Sequence, residues 1–162
     1  MAPRRSAGVL VFRHDAAGGI EVLLGHPGGP FWANKDQGAW SVPKGELDAD
    51  EAPQVAARRE FEEELGLPVP PGPWLDLGEV RQSGGKTVHV WAVEGDLDPA
   101  LVVPAAFDME WPPGAGRLQS FPELDRVAWF GLSAAGQRLI PAQREFLDRL
   151  HAHVYPEPGT SP

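Results

Sequence analysis

Cysteine is absent from the 162 residues. Neither a disulfide framework nor a thiolate metal site can be built, and any metal must take oxygen or histidine ligands. Long apolar runs are missing too. No window approaches the roughly eighteen consecutive apolar residues of a membrane-crossing helix, so no membrane association is expected. Positive charge is scarce, with 14 Lys and Arg against 23 Asp and Glu and a net charge of −9. That balance excludes the basic surface that nonspecific nucleic-acid binding needs. Met1-Ala2-Pro3-Arg4-Arg5-Ser6 lacks the apolar stretch and small-residue cleavage site of a secretory signal, so a cytoplasmic location is expected.

What remains is the composition of a globular domain, 42% apolar and 23% charged. The length suits a single domain, expected over residues 1–153. The proline, glycine and serine of residues 154–162 predict a disordered tail. Ala7–Phe12 and Ile20–Leu24 read as strands joined by a turn-rich connection. Gly25–Ala39 reads as a long loop carrying Phe31 and Trp32, and Trp40–Pro43 as a short strand. A helix is predicted from about Asp50 to Leu65, with Asp50 as its cap, Pro53 in its first turn and Gly66 as its left-handed stop. Leu75–Arg81 and Thr87–Val93 are strands across a glycine turn, and Asp96–Gly116 is irregular. Arg126–Phe130 is a late strand. A helix over Pro141–His153 turns Phe146, Leu147 and Leu150 inward. Interleaved strands and helices place the chain in the α/β or α+β class, with a mixed sheet.

On the first helix, Glu60, Glu63 and Glu64 share one face at spacings of three and four. Carboxylates this close oppose helix formation by about 0.2–0.5 kcal/mol per pair. Taken alone, they are a solvated acidic face or an oxygen site for a hard divalent cation. The surrounding frame decides between the two. From Gly45 the chain runs five residues to Glu51, then seven more to Arg59-Glu60-Phe61-Glu62-Glu63-Glu64-Leu65-Gly66-Leu67. This resembles the Nudix box at every specified position, and a chance match is on the order of one in a million.

The resemblance implies a Nudix fold, an α/β/α sandwich around a mixed sheet with a catalytic loop-helix-loop. It also implies a hydrolase that cleaves a pyrophosphate bond in a nucleoside diphosphate-linked substrate by metal-activated water. Glu60 and Glu64 would be the principal Mg²⁺ ligands (Mn²⁺ a substitute), with Glu63 assisting or acting as base and the Gly45 backbone contributing a carbonyl. Glu51, Arg59 and Gly66 would be structural, Arg59 holding a glutamate in place and Gly45 giving a tight turn. In several relatives the base lies just before the last strand. Here that points to Glu123, with Glu110 as second choice, although either can equally be an ordinary surface residue. Lys44, in the Pro-Lys-Gly shared with members acting on highly phosphorylated compounds, and Arg81, beside a glycine turn with Lys86, are phosphate-binding candidates. Phe31 and Trp32 are the candidates for stacking on a base. His26 and His89 read as core or strand-end residues.

Marks of substrate outside the box are weak. Arg81-Gln82-Ser83 stands where ADP-ribose types carry a proline. The sole tyrosine, Tyr155, is not where dinucleoside polyphosphate types carry theirs. Phe31–Trp40 with Glu110-Trp111-Pro112-Pro113 resembles bacterial members described as NTP pyrophosphohydrolases. A nucleoside triphosphate or dinucleoside polyphosphate is therefore expected as a small-molecule partner, with ADP-ribose or a nucleotide sugar as the alternative. A nucleotide-sensing module that does not turn over is a further alternative, disfavoured because every box glutamate is present. A homodimer is a family expectation only.

Overall fold

The computed structural model describes residues 4–156. Its first strand organises everything else. β1 (Arg5–His14) pairs in parallel with β5 (Thr87–Glu94) along one edge. Along the other it pairs antiparallel with β3 (Lys44–Glu46) and then with β2 (Ile20–Pro27). β4 (Leu75–Arg81) closes one side beyond β5, and β8 (Leu124–Gly131) closes the other beyond β2, giving the order β4-β5-β1-β2-β8. The sheet is mixed, as expected.

Both faces of β1 are buried, which explains its unbroken apolar run. Val9 and Val11 face α1 (Pro53–Leu65), whose Ala56, Ala57, Phe61 and Leu65 are fully buried against them. Leu10 and Phe12 face the opposite layer, α2 (Leu132–Arg138) and α3 (Glu145–Val154), through Ala135, Phe146, Leu147 and Leu150. Period-two alternation thus feeds two cores, and the layers are helix, sheet, helix.

Several local expectations change. Asp50 does not cap α1; Ala52 does, without a side-chain bond, and Asp50 sits at φ 65°. Glu51 instead ties the preceding loop, accepting the Asp48 N–H at 2.9 Å. Gly66 is left-handed at φ 67° and returns its N–H to the Glu62 carbonyl, as a helix stop should. Trp40–Pro43 is extended but makes only isolated bridges, Ser41 with Gly25 and Trp40 with Leu139. The stretch read as irregular contains β6 (Ala106–Glu110), paired with β7 (Leu118–Pro122). Pro141–Arg144 is a tight 3-10 turn preceding α3. Of the tail expected over residues 154–162, residues 157–162 lie outside the described part, and the Tyr155 hydroxyl donates to the Gly18 carbonyl.

Candidate active site

The site forms where β3 passes the middle of α1. With Phe61 and Leu65 pinned into the core, Glu60 and Glu64 are carried to the border between helix and sheet. Glu63 is left on the outer side, its side chain 55% exposed. Gly45 is needed for close approach rather than for a turn: a Cβ there would collide with the Glu60 carboxylate, and its φ is not left-handed.

Arg59 organises the acidic groups. Its Nε and Nη2 grip both oxygens of Glu51 at 2.9 and 2.8 Å, its Nη1 donates to Glu60 Oε1 at 2.8 Å, and Nη2 also reaches the Glu46 carbonyl. A weaker bond runs from Nη1 to Glu63 at 3.3 Å. A bidentate fork of this kind is strong and directional. It lowers the Glu51 carboxyl to about 2, Arg59 itself being raised by the same bonds.

Glu64 has no such partner and sits in the opposite situation. Burial, then the neighbouring charges of Glu60 and Glu123, push it up to about 8, with Lys44 only partly offsetting them. Glu60 is raised too, by burial first, against the pull of Arg59. Lys44 is lowered by burial, with Lys86 adding to the effect. Ionisation of Glu64 and Glu60 together is thus opposed by burial and repulsion and only partly supported by Lys44 and Arg59.

Beside these groups lies a cleft of about 210 Å³. Lys44, Glu64 and Glu123 supply its polar lining, Trp32 stands in its wall, and Pro27, Ala39, Val42, Leu124 and Ile140 make it apolar. A wider, open hollow of about 670 Å³ beside Asp76, Arg149 and His153 holds none of the box glutamates. The cleft is the smaller feature but the one with the chemistry.

A family model for the NUDIX domain matches residues 2–150. The chain belongs to the Nudix family.

The Nudix fold is shared with a C. elegans Ap4A hydrolase solved as a binary complex, at TM-score 0.66 and 21% identity, covering 92% of this chain and 97% of that one. The NUDIX domain of Shewanella oneidensis NrtR, solved with ADP ribose, matches at TM-score 0.62 and 15% identity, covering 95% and 90%. Among curated relatives, an octanoyltransferase of Myxococcus xanthus is 39% identical over 103 residues, 63% of this chain and 25% of that protein. An RNA pyrophosphohydrolase of Hahella chejuensis is 41% identical over 51 residues, 30% and 32% of the two chains. The matches thus span a quarter to a third of these relatives' length.

Within this Nudix frame, the sequence candidates do not all meet. Glu64, Lys44, Glu123 and Trp32 line one cleft, and Glu60, pressed against Gly45, acts on Glu64 from outside that lining. Phe31 is not in the cleft lining; its ring is 60% exposed and meets Trp111 edge-on at 5.6 Å. Arg81, exposed at the end of β4, does not line the cleft either, and Lys86 is the cation of that turn that bears on Lys44. Glu110 caps the hairpin turn through the Gly114 N–H, away from the cleft lining.

Two contributors were not expected near the site: His26, read only as a core or strand-end residue, and Gln143, not singled out at all. His26, fully buried, has Nδ1 2.7 Å from Asp125 and Nε2 2.5 Å from the Lys35 carbonyl, tying the aromatic loop to the segment after Glu123. Gln143, also fully buried, bonds to the strand leading into Lys44. The only signal of Gln143 was a polar residue within the predicted C-terminal helix, and of His26 a polar residue at the end of an apolar strand.

Among the described residues, no three His, Asp or Glu side chains converge closely enough as they stand to hold a cation. The donor chemistry nonetheless fits one. Glu60 and Glu64 offer hard carboxylate oxygens, and a divalent cation would favour the ionised forms that burial and their mutual repulsion oppose.

Proposed function

We propose that this chain is a Mg²⁺-dependent Nudix pyrophosphohydrolase acting on a nucleoside triphosphate or dinucleoside polyphosphate. The observation that carries this reading is that Glu64 and Lys44 line a cleft walled by Trp32, with the charge of Glu60 acting on Glu64. Residues 1–153 are taken as the single catalytic domain.

Glu60 and Glu64, with Glu63 from the outer side of α1 and the Gly45 carbonyl, would hold Mg²⁺ or Mn²⁺. When bound, such a cation offsets phosphate charge and makes a water more acidic. Lys44 draws a phosphate oxygen to the cleft floor. Arg59 keeps Glu60 turned toward β3 and leaves it able to accept further contacts. Glu123 takes the proton of the attacking water as its oxygen bonds to phosphorus. The bridging P–O bond then breaks, and its electrons leave with the departing phosphate. Trp32 stacks on the base.

The names of relatives widen the choice to a pyrophosphate bond on RNA, but a net charge of −9 weighs against holding a long polyanion. ADP-ribose and nucleotide sugars rank behind the phosphate-rich compounds because of Lys44 and Lys86.

The test is a panel of triphosphates, dinucleoside polyphosphates, ADP-ribose and nucleotide sugars, with wild type and Glu64→Gln. We expect Mg²⁺-dependent turnover by the wild type, reduced by about three orders of magnitude in a folded variant. Equal turnover in the two would remove α1 as the metal site.

A further inference from the structure

We propose that Gln143 is a positioning residue for the active site, bolting the strand that carries Lys44 and Gly45 to the turn that carries Lys86. The proposal rests on the pyrophosphohydrolase reading above. Gln143 is 0% exposed, and its amide is fully engaged. Its Oε1 accepts the Val42 N–H at 2.9 Å, and its Nε2 donates to Ser41 Oγ at 3.0 Å and to Gln82 Oε1 at 2.9 Å. Ser41 Oγ in turn donates to the Val42 carbonyl at 2.8 Å. Turning the amide over would set its NH₂ against the Val42 N–H and its oxygen against Gln82 Oε1. Only one orientation therefore satisfies the network.

A buried glutamine is ordinarily a packing residue with satisfied hydrogen bonds. The segments it joins argue for more. Val42 lies three residues before Gly45, where the backbone is pressed against the Glu60 carboxylate. Gln82 donates its own N–H to the Lys86 carbonyl at 2.7 Å, closing the turn whose lysine bears on Lys44. From below, β1 leaves no slack: a Cβ on Gly8 would lie 2.5 Å from the Pro43 carbonyl oxygen and 2.8 Å from Lys44 Cβ. The Val9 N–H holds that same carbonyl at 3.2 Å. With β1 fixing the strand from beneath, Gln143 fixes it from the side. It thereby sets how Gly45 meets Glu60 and how far apart the two lysines stand. Partners that orient the groups around a metal typically matter by 10–100-fold in metal affinity or activity.

The experiment compares Gln143→Met, Gln143→Asn and Gln82→Met in the full chain. Mn²⁺ alone is titrated by electron paramagnetic resonance, and kcat, KM and Tm are measured on the best substrate of the panel. Gln143→Met is expected to weaken Mn²⁺ binding and lower kcat by about tenfold each. Gln143→Asn, whose shorter arm cannot reach Val42 and Gln82 together, is expected to weaken Mn²⁺ binding about threefold and decides the matter if the methionine variant does not fold. Gln82→Met loses a part-buried bond to the Lys86 turn but spares the Val42 bond that holds the strand before Gly45. Its Tm should fall while Mn²⁺ binding stays within about twofold. Wild-type Mn²⁺ binding in a folded Gln143 variant, or equal weakening in Gln82→Met, overturns the proposal. Absence of turnover across the whole panel would instead count against the pyrophosphohydrolase reading, since the Mn²⁺ titration does not depend on it.

Discussion

The floor and the rim of the cleft are built on different terms. At the floor, Arg59 alone binds Glu51, Glu60 and Glu63, Gly45 admits no side chain, and Gln143 has every polar atom engaged. At the rim, Trp32 and Phe31 stand 37% and 60% exposed on a loop. Their neighbour is a two-stranded hairpin whose outward residues, Leu118 among them, are open to solvent. An isolated two-stranded hairpin has little stability of its own. This one leans on the loop through Phe107 beside Gly29 and through the Gly28 N–H donating to the Glu123 carbonyl. The floor, with its geometry over-determined, suits a reaction common to many substrates. The rim, free to differ, suits the choice among them.

The sharpest way to break the floor is Gly45→Ala. The added Cβ must displace the Glu60 carboxylate, because β3 is held on β1 and α1 on the core. We expect kcat/KM to fall by about two orders of magnitude, as misplacement of a positioned group does. Near-wild-type kinetics in the purified variant would mean that Glu60 is not a ligand.

Arg59→Met should cost activity about tenfold or more and should also leave a signature in acid. Arg59 lowers the Glu51 carboxyl to about 2, so its stabilising contribution is complete above the ordinary carboxylate range and is lost only as pH falls toward 2. Without Arg59 that contribution is absent, and the variant's Tm deficit should be largest near neutral pH and shrink as pH falls below 4. A deficit constant from pH 7 to pH 2.5, followed by thermal melts, would place the role of Arg59 elsewhere.

The same contrast governs what the residues revealed in advance. The box helix and both its faces were legible because Glu60, Glu63 and Glu64 repeat at helical spacing, and Gly45, Glu51 and Arg59 stand in a fixed frame. Glu51 and Arg59 pair across eight residues, short enough for a motif to encode. The hairpin was not legible: Phe107 and Met109 are too short an alternation to outweigh the Pro112-Pro113-Gly114 turn between the strands. Gln143 escaped notice because its partners are 61 and more residues away, a relation no local pattern carries. Arg81 and Lys86 looked equivalent at the ends of one turn. Only the register of β4 on β5, with Arg81 opposite Thr87, distinguishes them.

Rim variants should act on binding. Trp32→Ala is expected to raise KM about tenfold, the scale of losing one base–aromatic stack, with kcat changed less than about twofold. Phe31, which meets Trp111 rather than the cleft, should change KM less than about threefold when replaced by Ala. Equal effects from the two would erase the distinction between a wall of the cleft and its outer surroundings.

The smallest expected effect separates the two cations of the β4–β5 turn. Lys86 bears on Lys44, whereas Arg81 stands exposed and outside the cleft lining. Lys86→Ala should raise KM for a triphosphate about threefold at low salt. Arg81→Ala should stay within about 1.5-fold, since an exposed charge outside the cleft lining acts through water of high dielectric. Ionic strength then provides the check: the gap between the variants should narrow between roughly 0.02 and 0.5 M salt as Lys86 is screened. If Arg81→Ala gives the larger loss, substrate phosphates leave the cleft over the end of β4, and the turn presents its other side to the reaction.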